Sequence, residues 1–178
     1  TAQRKMLSHY DNATLYNDSI VTQIVKRFQK ENAIVIYVPD HGEECYEEDR
    51  GFICRNHAAN IDWPLAHYEF EIPFWIYCSP KYIKTHRDIY RQIRAAKDKR
   101  FMTDALPHLL LYLAGIETPT YKEEYNILSP KYNEMRPRIL KNSADYDQLR
   151  DEHLKKVEKE KRKKEKRKKE KSKKGDKK

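Results

Sequence analysis

The residues with the clearest chemical meaning form an Asp-His pair at the end of an apolar run. Residues 33–38 read Ala-Ile-Val-Ile-Tyr-Val, and Pro39, Asp40, His41 and Gly42 follow them. A carboxylate and an imidazole held side by side can supply two of the three or four protein ligands that a zinc ion takes. The pair also has a plainer interpretation, a strand-end cap beside a surface histidine, because short motifs produce many false positives. We interpret it as half of a divalent-metal site whose other ligands come from elsewhere.

The apolar run predicts the element that positions this pair. Its residues are mostly β-branched or aromatic and show no polar alternation, which is typical of a strand buried on both faces, as in a parallel sheet. Pro39 has no N–H to donate and ends the ladder. Asp40 and His41 are therefore expected at the edge of an α/β sheet, where ligands usually bind.

A helix and a long loop are predicted on either side of this strand. Apolar residues recur at helical spacing between Leu15 and Phe28, and residues 10–14 are of the type that caps a helix near its start. Residues 43–69, which follow the Asp-His pair, are polar and carry few helix or strand signals. A loop of this length in a folded domain is usually functional or disordered.

The rest of the folded part adds one strand and one helix. Residues 72–78 predict a second buried strand, and residues 103–115 predict a helix with Thr103 or Asp104 as its cap and Gly115 as its terminator. Two strands are too few for an α/β sheet, which commonly has about five or six. We therefore expect this chain to be the C-terminal portion of a larger catalytic domain.

The charge distribution separates the end of the chain from the rest. Residues 151–178 contain 16 Lys or Arg and 7 Asp or Glu, and this surplus equals the net charge of +9 of the whole chain. Residues 1–150 are thus charge-neutral and form the predicted folded portion. Residues 151–178 are predicted to be disordered or, at most, a solvated helix.

The basic tail, residues 151–178, has two interpretations. It can act as an arm that binds anionic phosphate, or it can be a solvated extension with no specific partner. No aromatic residues are interleaved with its charges for base stacking. We therefore expect no nucleic acid as a partner, and an anionic membrane surface is the partner that its charge allows.

The cysteines and the hydropathy of the chain say little about its cellular compartment. Cys45, Cys54 and Cys78 make an odd count, and a Cys45–Cys54 bridge and two free thiols are equally compatible with the sequence. No apolar run reaches about 18 residues and no charged-then-apolar leader is present. We expect neither a membrane span nor an export signal within these residues.

Four segments in order carry a family resemblance. They are residues 10–18, which open the first helix, 37–43 around the Asp-His pair, 71–77 and 104–116. Together, over roughly residues 8–147, they resemble the sulfatase-like phosphoethanolamine transferases of the alkaline phosphatase superfamily. The resemblance implies an α/β fold, the C-terminal part of an alkaline-phosphatase-like α/β/α sandwich.

The resemblance also implies roles for the Asp-His pair. Asp40 and His41 correspond to residues that bind a zinc ion in such transferases, and their donor types would also suit Mn²⁺. An acidic ligand and the nucleophilic Thr, which forms a covalent intermediate, lie in the N-terminal part of the same protein that this chain lacks. The chain alone is therefore expected to be inactive.

Three further residues are candidates for the site. His57 fits the place of a family histidine that contacts the phosphoryl group or the leaving alcohol, so it is predicted to be catalytic and substrate-binding. His67 is a second substrate-binding candidate. Glu43 is either a hydrogen-bond acceptor for the ring N–H of His41 or an exposed loop acid. Several relatives have a histidine where this chain has Glu71, and His108, in an apolar helix, is predicted to be a packed histidine.

Two classes of function follow. The first is transfer of phosphoethanolamine from a phospholipid donor to lipid A or a glycan, a lipopolysaccharide modification at the periplasmic face of the inner membrane of a Gram-negative bacterium. A sulfatase or a phosphodiesterase of the same superfamily is the alternative within that class. The other class is a non-catalytic module that binds anionic surfaces through its tail.

Overall fold

The computed structural model describes residues 1–54, 60–141 and 143–175, which contacts between Cα atoms divide into two units. The first unit comprises Thr1–His41, Cys45–Phe52 and Ile72–Arg136, and the second comprises Gly42–Glu44, Ile53–Glu71 and Pro137–Lys178. The α-helices are α1 (Ala2–Phe28), α2 (Trp63–Phe70), α3 (Pro80–Thr85), α4 (Arg87–Ala96), α5 (Leu106–Ala114) and α6 (Tyr146–Gly175). The strands are β1 (Ile34–Tyr37), β2 (Glu44–Cys45), β3 (Phe52–Cys54), β4 (Trp75–Cys78), β5 (Ile139–Leu140) and β6 (Ala144–Asp145).

Helix α1 begins earlier than the sequence predicted. Its N-cap is Thr1, whose side-chain oxygen accepts a hydrogen bond from the Arg4 amide at 3.4 Å. Residues 10–14 lie inside the helix and are exposed. Cap-type residues are tolerated inside a helix when their side chains point to solvent, so the predicted start near residue 10 is wrong.

Strands β1 and β4 form the two-stranded sheet that carries the Asp-His pair. They are antiparallel, with Ile34 opposite Cys78 and Tyr37 opposite Trp75, and the Tyr37 and Trp75 rings stack at 5.2 Å. The residues of β1 are half-buried. The prediction of a parallel strand buried on both faces is therefore wrong for β1. An apolar run indicates that a strand can be buried, but it does not determine the direction of the neighbouring strand.

A buried serine connects the two strands at their other end. Ser79 is fully buried, and its Oγ accepts hydrogen bonds from the backbone amides of Ala33 at 3.3 Å and Tyr82 at 3.1 Å. The same hydroxyl donates to the Glu31 carbonyl at 2.6 Å. These bonds join the start of β1 to the end of β4. They hold β1 in place, and so they also fix the position at which Asp40 and His41 follow it.

The segment 43–69 contains more structure than predicted. Strands β2 and β3 form a second small sheet, and α2 occupies the last part of the segment. Asp62 caps α2 by accepting a hydrogen bond from the Leu65 amide at 3.1 Å, and Pro64 lies in the first turn. These are ordinary helix-start signals, so the expectation of an irregular loop is wrong at α2.

Each unit has its own apolar core. In the first unit, Leu109 of α5 is fully buried and packs with Ala96, Ile127 and Leu128. Helix α5 begins at Leu106, directly after a 3₁₀ turn at Thr103–Ala105, and Ala105 makes no side-chain cap hydrogen bond. The predicted cap at Thr103 or Asp104 is therefore wrong, and the Asp104 carboxylate instead pairs with Arg136 at 2.6 Å. The helix ends before Gly115, whose φ is +65°, as its pattern predicted. In the second unit, the buried core consists of Ala66, Leu140 and Tyr146, with Ile61, Trp63, Phe70 and Leu149 packed against it.

Helix α6 contains most of the basic tail. It runs from Tyr146 to Gly175, across the predicted division at residue 150. Side chains from Glu158 to Arg167 are exposed, and Arg162 pairs with Glu158 one turn earlier at 2.5 Å. Among the residues that the structure describes, no helix combines the length and the apolar character needed to cross a bilayer.

Candidate metal centre

Asp40 and His41 directly follow Val38 and Pro39 beyond β1, where the sequence predicted them. Oδ2 of Asp40 lies 3.4 Å from Nε2 of His41, and Oδ1 of Asp40 accepts a hydrogen bond from the His41 amide at 3.2 Å. The Asp40 side chain is 84% exposed, whereas that of His41 is 25% exposed. The backbone hydrogen bond orients the carboxylate, and its second oxygen stays beside the imidazole.

The separation of these two atoms suits a shared metal ion. A charge-assisted hydrogen bond would bring them to about 2.7–2.9 Å. Two ligands of a tetrahedral zinc ion, at the usual Zn–O and Zn–N lengths, lie about 3.3–3.5 Å apart. The observed 3.4 Å matches the ligand separation better than the hydrogen bond. A carboxylate and an imidazole are also an ordinary zinc donor set.

The pair supplies only half of such a site in the described part of the chain. Among residues 1–54, 60–141 and 143–175, no three His, Cys, Asp or Glu side chains group together as metal ligands. His57, the predicted catalytic and substrate-binding histidine, lies outside the described residues. The two donors fit zinc, and the assignment of Asp40 and His41 as ligands stays a prediction.

The glycine after the pair is required by a close backbone approach. The Gly42 amide donates to the Glu69 carbonyl at 2.8 Å, and a Cβ added at Gly42 would lie 2.2 Å from the Tyr68 carbonyl oxygen. No other residue fits there without movement of the backbone. Glu43 is half-buried, and its hydrogen bond to His41 stays a prediction. The next residue, Glu44, is a fully buried acid that the sequence did not single out.

A second histidine–carboxylate pair lies in the second unit. Nδ1 of His67, the weaker substrate-binding candidate, lies 3.0 Å from Oε1 of Glu71, one helical turn later. The Tyr146 hydroxyl donates a hydrogen bond to the same oxygen. The Trp63 ring stacks with the His67 ring at 5.4 Å and with the His153 ring at 5.3 Å. These contacts restrain the His67 ring in its plane and through one of its nitrogens.

The electrostatics of this pair keep Glu71 ionised. Burial by itself raises the pKa of the Glu71 carboxyl, but the hydrogen bonds from Tyr146 and His67 outweigh burial and lower it. Burial, reinforced by the hydrogen bond to Glu71, holds the pKa of the Tyr146 hydroxyl far above its ordinary value. An ionised Glu71 favours a proton on His67 Nδ1.

Two other sequence expectations concern cysteine and His108. Cys45, Cys54 and Cys78 are all free thiols, so the structure contains no Cys45–Cys54 bridge, and burial raises the pKa of the Cys78 thiol. His108 is half-buried, as expected of a packed histidine, and its Nδ1 accepts a hydrogen bond from the Lys122 amide at 3.1 Å.

Comparison with known proteins decides the family of this fold and site. Residues 1–116, which contain β1 and the Asp-His pair, match the model of the family described as Sulfatase. The chain belongs to the sulfatase family. The resemblance predicted from four short segments is thus confirmed, and all four segments, 10–18, 37–43, 71–77 and 104–116, lie inside the matched range.

Relatives of this sulfatase-family chain include phosphoethanolamine transferases. Phosphoethanolamine transferase EptC of Escherichia coli (strain K12) is 32% identical over 148 residues, which are 79% of this chain and 24% of that protein. The Kdo(2)-lipid A phosphoethanolamine 7''-transferase of the same strain is 27% identical over 99 residues, 54% of this chain and 16% of that protein. The chain thus spans about a quarter or less of the length of these relatives.

Solved structures give the same fold. The crystal structure of the C-terminal periplasmic domain of EcEptC from Escherichia coli matches with a TM-score of 0.62 and 31% identity, over 79% of this chain and 40% of that one. A complex of that domain with Zn matches with a TM-score of 0.62 over 39% of its chain. The predicted alkaline-phosphatase-like α/β fold is therefore confirmed.

Proposed function

We propose that this chain is the C-terminal part of the catalytic domain of a zinc-dependent phosphoethanolamine transferase. The observation that carries the proposal is the pair of donor atoms 3.4 Å apart on Asp40 and His41, inside the range that matches the sulfatase family. The likeness to EptC, of which a Zn complex has been solved, supports transfer of phosphoethanolamine and supports zinc over Mn²⁺.

In this proposal Asp40 and His41 hold the metal ion. A bound zinc ion neutralises charge on phosphoryl oxygens and lowers the pKa of a nearby hydroxyl. Asp40 contributes an anionic oxygen that the His41 amide orients, and His41 contributes Nε2. Glu43 holds the His41 ring by accepting its other N–H. Both ligands then keep their orientation when substrate enters.

The transfer itself takes two displacements. In the first, the oxygen of a Thr outside this chain, already deprotonated, forms a bond to the donor phosphorus, and the bond from phosphorus to the lipid alkoxide breaks; the same Thr alkoxide is regenerated in the second displacement. His57 donates the proton that this leaving alkoxide takes up. In the second, an acceptor hydroxyl attacks the same phosphorus, gives its proton to the now neutral His57, and the Thr–phosphorus bond breaks. His67 binds substrate through Nε2, with Glu71 holding the opposite nitrogen.

The proposed substrates and location follow from the relatives. We infer a phospholipid donor and a lipid A or glycan acceptor, because one relative is named a Kdo(2)-lipid A phosphoethanolamine 7''-transferase. We infer the periplasmic face of the inner membrane of a Gram-negative bacterium, because the matching solved domain is described as periplasmic. The basic side chains of α6 attract the anionic membrane surface that holds both substrates.

A sulfatase is the second candidate function, because the matching family model carries that description. The two enzymes differ in the nucleophile that precedes this chain in the complete protein, which is Thr in the proposed transferase and a cysteine-derived group in a sulfatase. The sequence upstream of Thr1 separates them, and so does activity towards a sulfate ester.

The test uses the complete protein that contains this chain. Wild type, Asp40→Asn and His41→Ala are incubated with phosphatidylethanolamine and lipid A, and mass spectrometry follows the phosphoethanolamine added to lipid A. We expect transfer by wild type and a loss of about a thousandfold or more in each variant, because each lacks one of only about four metal ligands. The matched control, His9→Ala, removes an exposed histidine of α1 and should retain full activity.

Two results would contradict the proposal. Transfer at the wild-type rate in both Asp40→Asn and His41→Ala would return the pair to a strand-end cap beside a surface histidine. Hydrolysis of 4-nitrophenyl sulfate by wild type, without transfer from phosphatidylethanolamine, would make the protein a sulfatase.

A further inference from the structure

Positive charge in the neutral part of the chain is concentrated in one segment. Residues 81–100 contain eight Lys or Arg and two Asp or Glu, although residues 1–150 as a whole are charge-neutral. This segment covers most of α3 and all of α4. A cationic surface within this charge-neutral part of the chain is a feature that α6 and the Asp-His pair do not explain.

The two helices form a groove with cations at its rim. It has a volume of about 460 Å³ and is lined by Ile83, Lys84, Arg87, Tyr90 and Arg91. The three basic side chains are exposed, and the two others are half-buried. Ligand pockets usually measure about 300–1,000 Å³, so the groove can hold a small headgroup.

The groove is held in shape before any ligand binds. The buried Tyr82 ring of α3 stacks on the ring of His86, the residue between the two helices, at 4.3 Å. Thr85 Oγ1 lies 2.8 Å from His86 Nδ1 and donates to Asn32 Oδ1 at 2.9 Å. These contacts fix the bend between α3 and α4, so the backbone of the groove loses little conformational entropy when a ligand enters, and the ordering cost falls on the side chains at the rim.

The charge at the rim is only partly neutralised. Arg91 pairs with Asp88, one turn earlier on α4. Within the described part of the chain, neither Lys84 nor Arg87 takes part in an ion pair. Three cations and one carboxylate leave a net charge of about +2 at the groove, counted as formal charges.

We propose that the α3–α4 groove binds the phosphate of an anionic lipid headgroup. Guanidinium groups match phosphate oxygens with paired N–H donors, and Lys84 adds a point charge. The half-buried Ile83 and Tyr90 give the groove an apolar floor, which suits the glycerol and first methylene groups of a lipid better than an inorganic anion. This site goes beyond the proposed transfer, because it needs neither the metal ion nor the nucleophile.

The experiment measures binding of a short-chain lipid to the full 178-residue chain. Dihexanoyl phosphatidylglycerol, kept below its micelle concentration, is titrated by calorimetry into wild type and into the groove variant Lys84→Gln/Arg87→Gln/Arg91→Gln. The matched control, Lys81→Gln/Arg94→Gln/Lys97→Gln, loses the same charge from the same segment at positions that do not line the groove. All three proteins keep the basic tail, so its attraction for the anionic lipid contributes equally to the three affinities that are compared.

We expect the groove variant to bind at least about tenfold more weakly and the control to stay within about twofold of wild type. Dihexanoyl phosphatidylcholine, whose headgroup has no net charge, and inorganic phosphate should each bind wild type at least about tenfold more weakly than phosphatidylglycerol. Arg87→Lys keeps the charge and the fold but loses the paired donors, so it should weaken binding to an intermediate degree.

Several outcomes would overturn the proposal. Equal losses in the groove variant and the control would reduce the effect to general charge attraction. Tight binding of inorganic phosphate would make the groove a simple anion site, and absence of phosphatidylglycerol binding by wild type would remove the site altogether. If the groove variant loses its circular dichroism signal, Arg87→Lys decides, and wild-type affinity in that variant contradicts the proposal.

Discussion

Two histidine–carboxylate pairs, one in each unit, differ in what surrounds the carboxylate. Asp40 is 84% exposed, and its contacts run to the adjacent His41 alone in the hydrogen bonds and ion pair described above. Glu71 is 41% exposed, and a single oxygen receives both the Tyr146 hydroxyl and the His67 ring. The first pair places a carboxylate oxygen and a ring nitrogen 3.4 Å apart, a separation that suits two ligands of one metal ion. In the second pair, one Glu71 oxygen contacts both the Tyr146 hydroxyl and the His67 ring. We therefore propose different roles for the two pairs, metal binding for the first and substrate binding for the second.

Beyond the two metal-ligand variants, His57→Ala in the complete enzyme should have the largest effect on turnover. A residue that donates a proton in the transition state contributes about 10²–10⁴-fold, so kcat should fall by that amount while bound zinc stays stoichiometric. Transfer kinetics and metal analysis on the same sample measure both. Asn56→Ala, the preceding position, is the control. Loss of zinc in His57→Ala would place His57 among the metal ligands and would extend the Asp40–His41 pair.

Gly42→Ala should destabilise the turn that follows the first pair. The added Cβ would lie 2.2 Å from a backbone carbonyl, which cannot move as a side-chain end can. We expect a loss of about 1–3 kcal/mol in the free energy of unfolding, measured with urea. Gly51→Ala is a useful control because a Cβ there meets no atom within 4 Å, although its φ of +86° adds some strain. An unfolding free energy unchanged in Gly42→Ala would show that the close approach is relaxed in solution.

Glu71→Gln should act through His67 and leave zinc unaffected. Without the carboxylate, the proton on Nδ1 is no longer favoured, and we expect about a tenfold loss in kcat in the complete enzyme. Tyr146→Phe should shift the pH profile of turnover without changing zinc content, because it removes one donor to Glu71. Loss of zinc in Glu71→Gln would break the distinction between the two pairs, since the second would then support the metal.

The same contacts predict how stability depends on pH. Since the pKa of Glu71 is lowered in the fold, its contribution is complete above the ordinary value of 4.5 and is lost as the pH falls through the lower folded pKa. Since the pKa of Tyr146 is raised, its contribution is complete below its ordinary value of 10.0 and is lost as the pH rises above that value. Urea titrations in both pH ranges measure the loss in the free energy of unfolding. In Glu71→Gln, this free energy should depend less on pH in the acid range. An unchanged acid profile would contradict the assigned contact.

Removing residues 158–178 should have the smallest effect on the fold. The truncation keeps His153 on Trp63 and deletes side chains that are exposed as far as the structure describes them. We expect the free energy of unfolding to change by less than about 0.5 kcal/mol, while salt-sensitive binding to phosphatidylglycerol vesicles falls strongly. Co-sedimentation at low and high salt measures this, and equal binding by the truncated chain would refute a role for the tail.

Local features of the sequence predicted the elements that hold the first pair. The apolar run and Pro39 predicted where β1 ends, and Gly115 predicted where α5 ends. These signals work because each acts within a few residues. The cap predicted at Thr103 or Asp104 is wrong, because α5 begins at Leu106. The Asp62 cap and Pro64 are equally local signals, and they mark the start of α2 within the otherwise polar segment.

Long-range features could not be predicted in this way. Tyr146 lies 75 residues from Glu71 along the chain, and no local pattern indicates that its hydroxyl reaches that carboxylate. The antiparallel direction of β4 likewise depends on how the chain returns between the strands, which the apolar content of β1 does not encode. The α3–α4 groove was visible only as a basic stretch until the bend at His86 brought its lining together.

Zinc affinity tests the central claim, that Asp40 and His41 are half of a metal site completed outside this chain, most directly. Equilibrium dialysis with a competing chelator compares the complete domain, its His41→Ala variant and the isolated 178-residue chain. We predict one tightly bound zinc in the complete domain, loss of that ion in His41→Ala, and weak binding by the isolated chain, because two protein ligands leave the remaining positions to water. Zinc held as tightly by the isolated chain as by the complete domain, or stoichiometric zinc in His41→Ala, would contradict the claim.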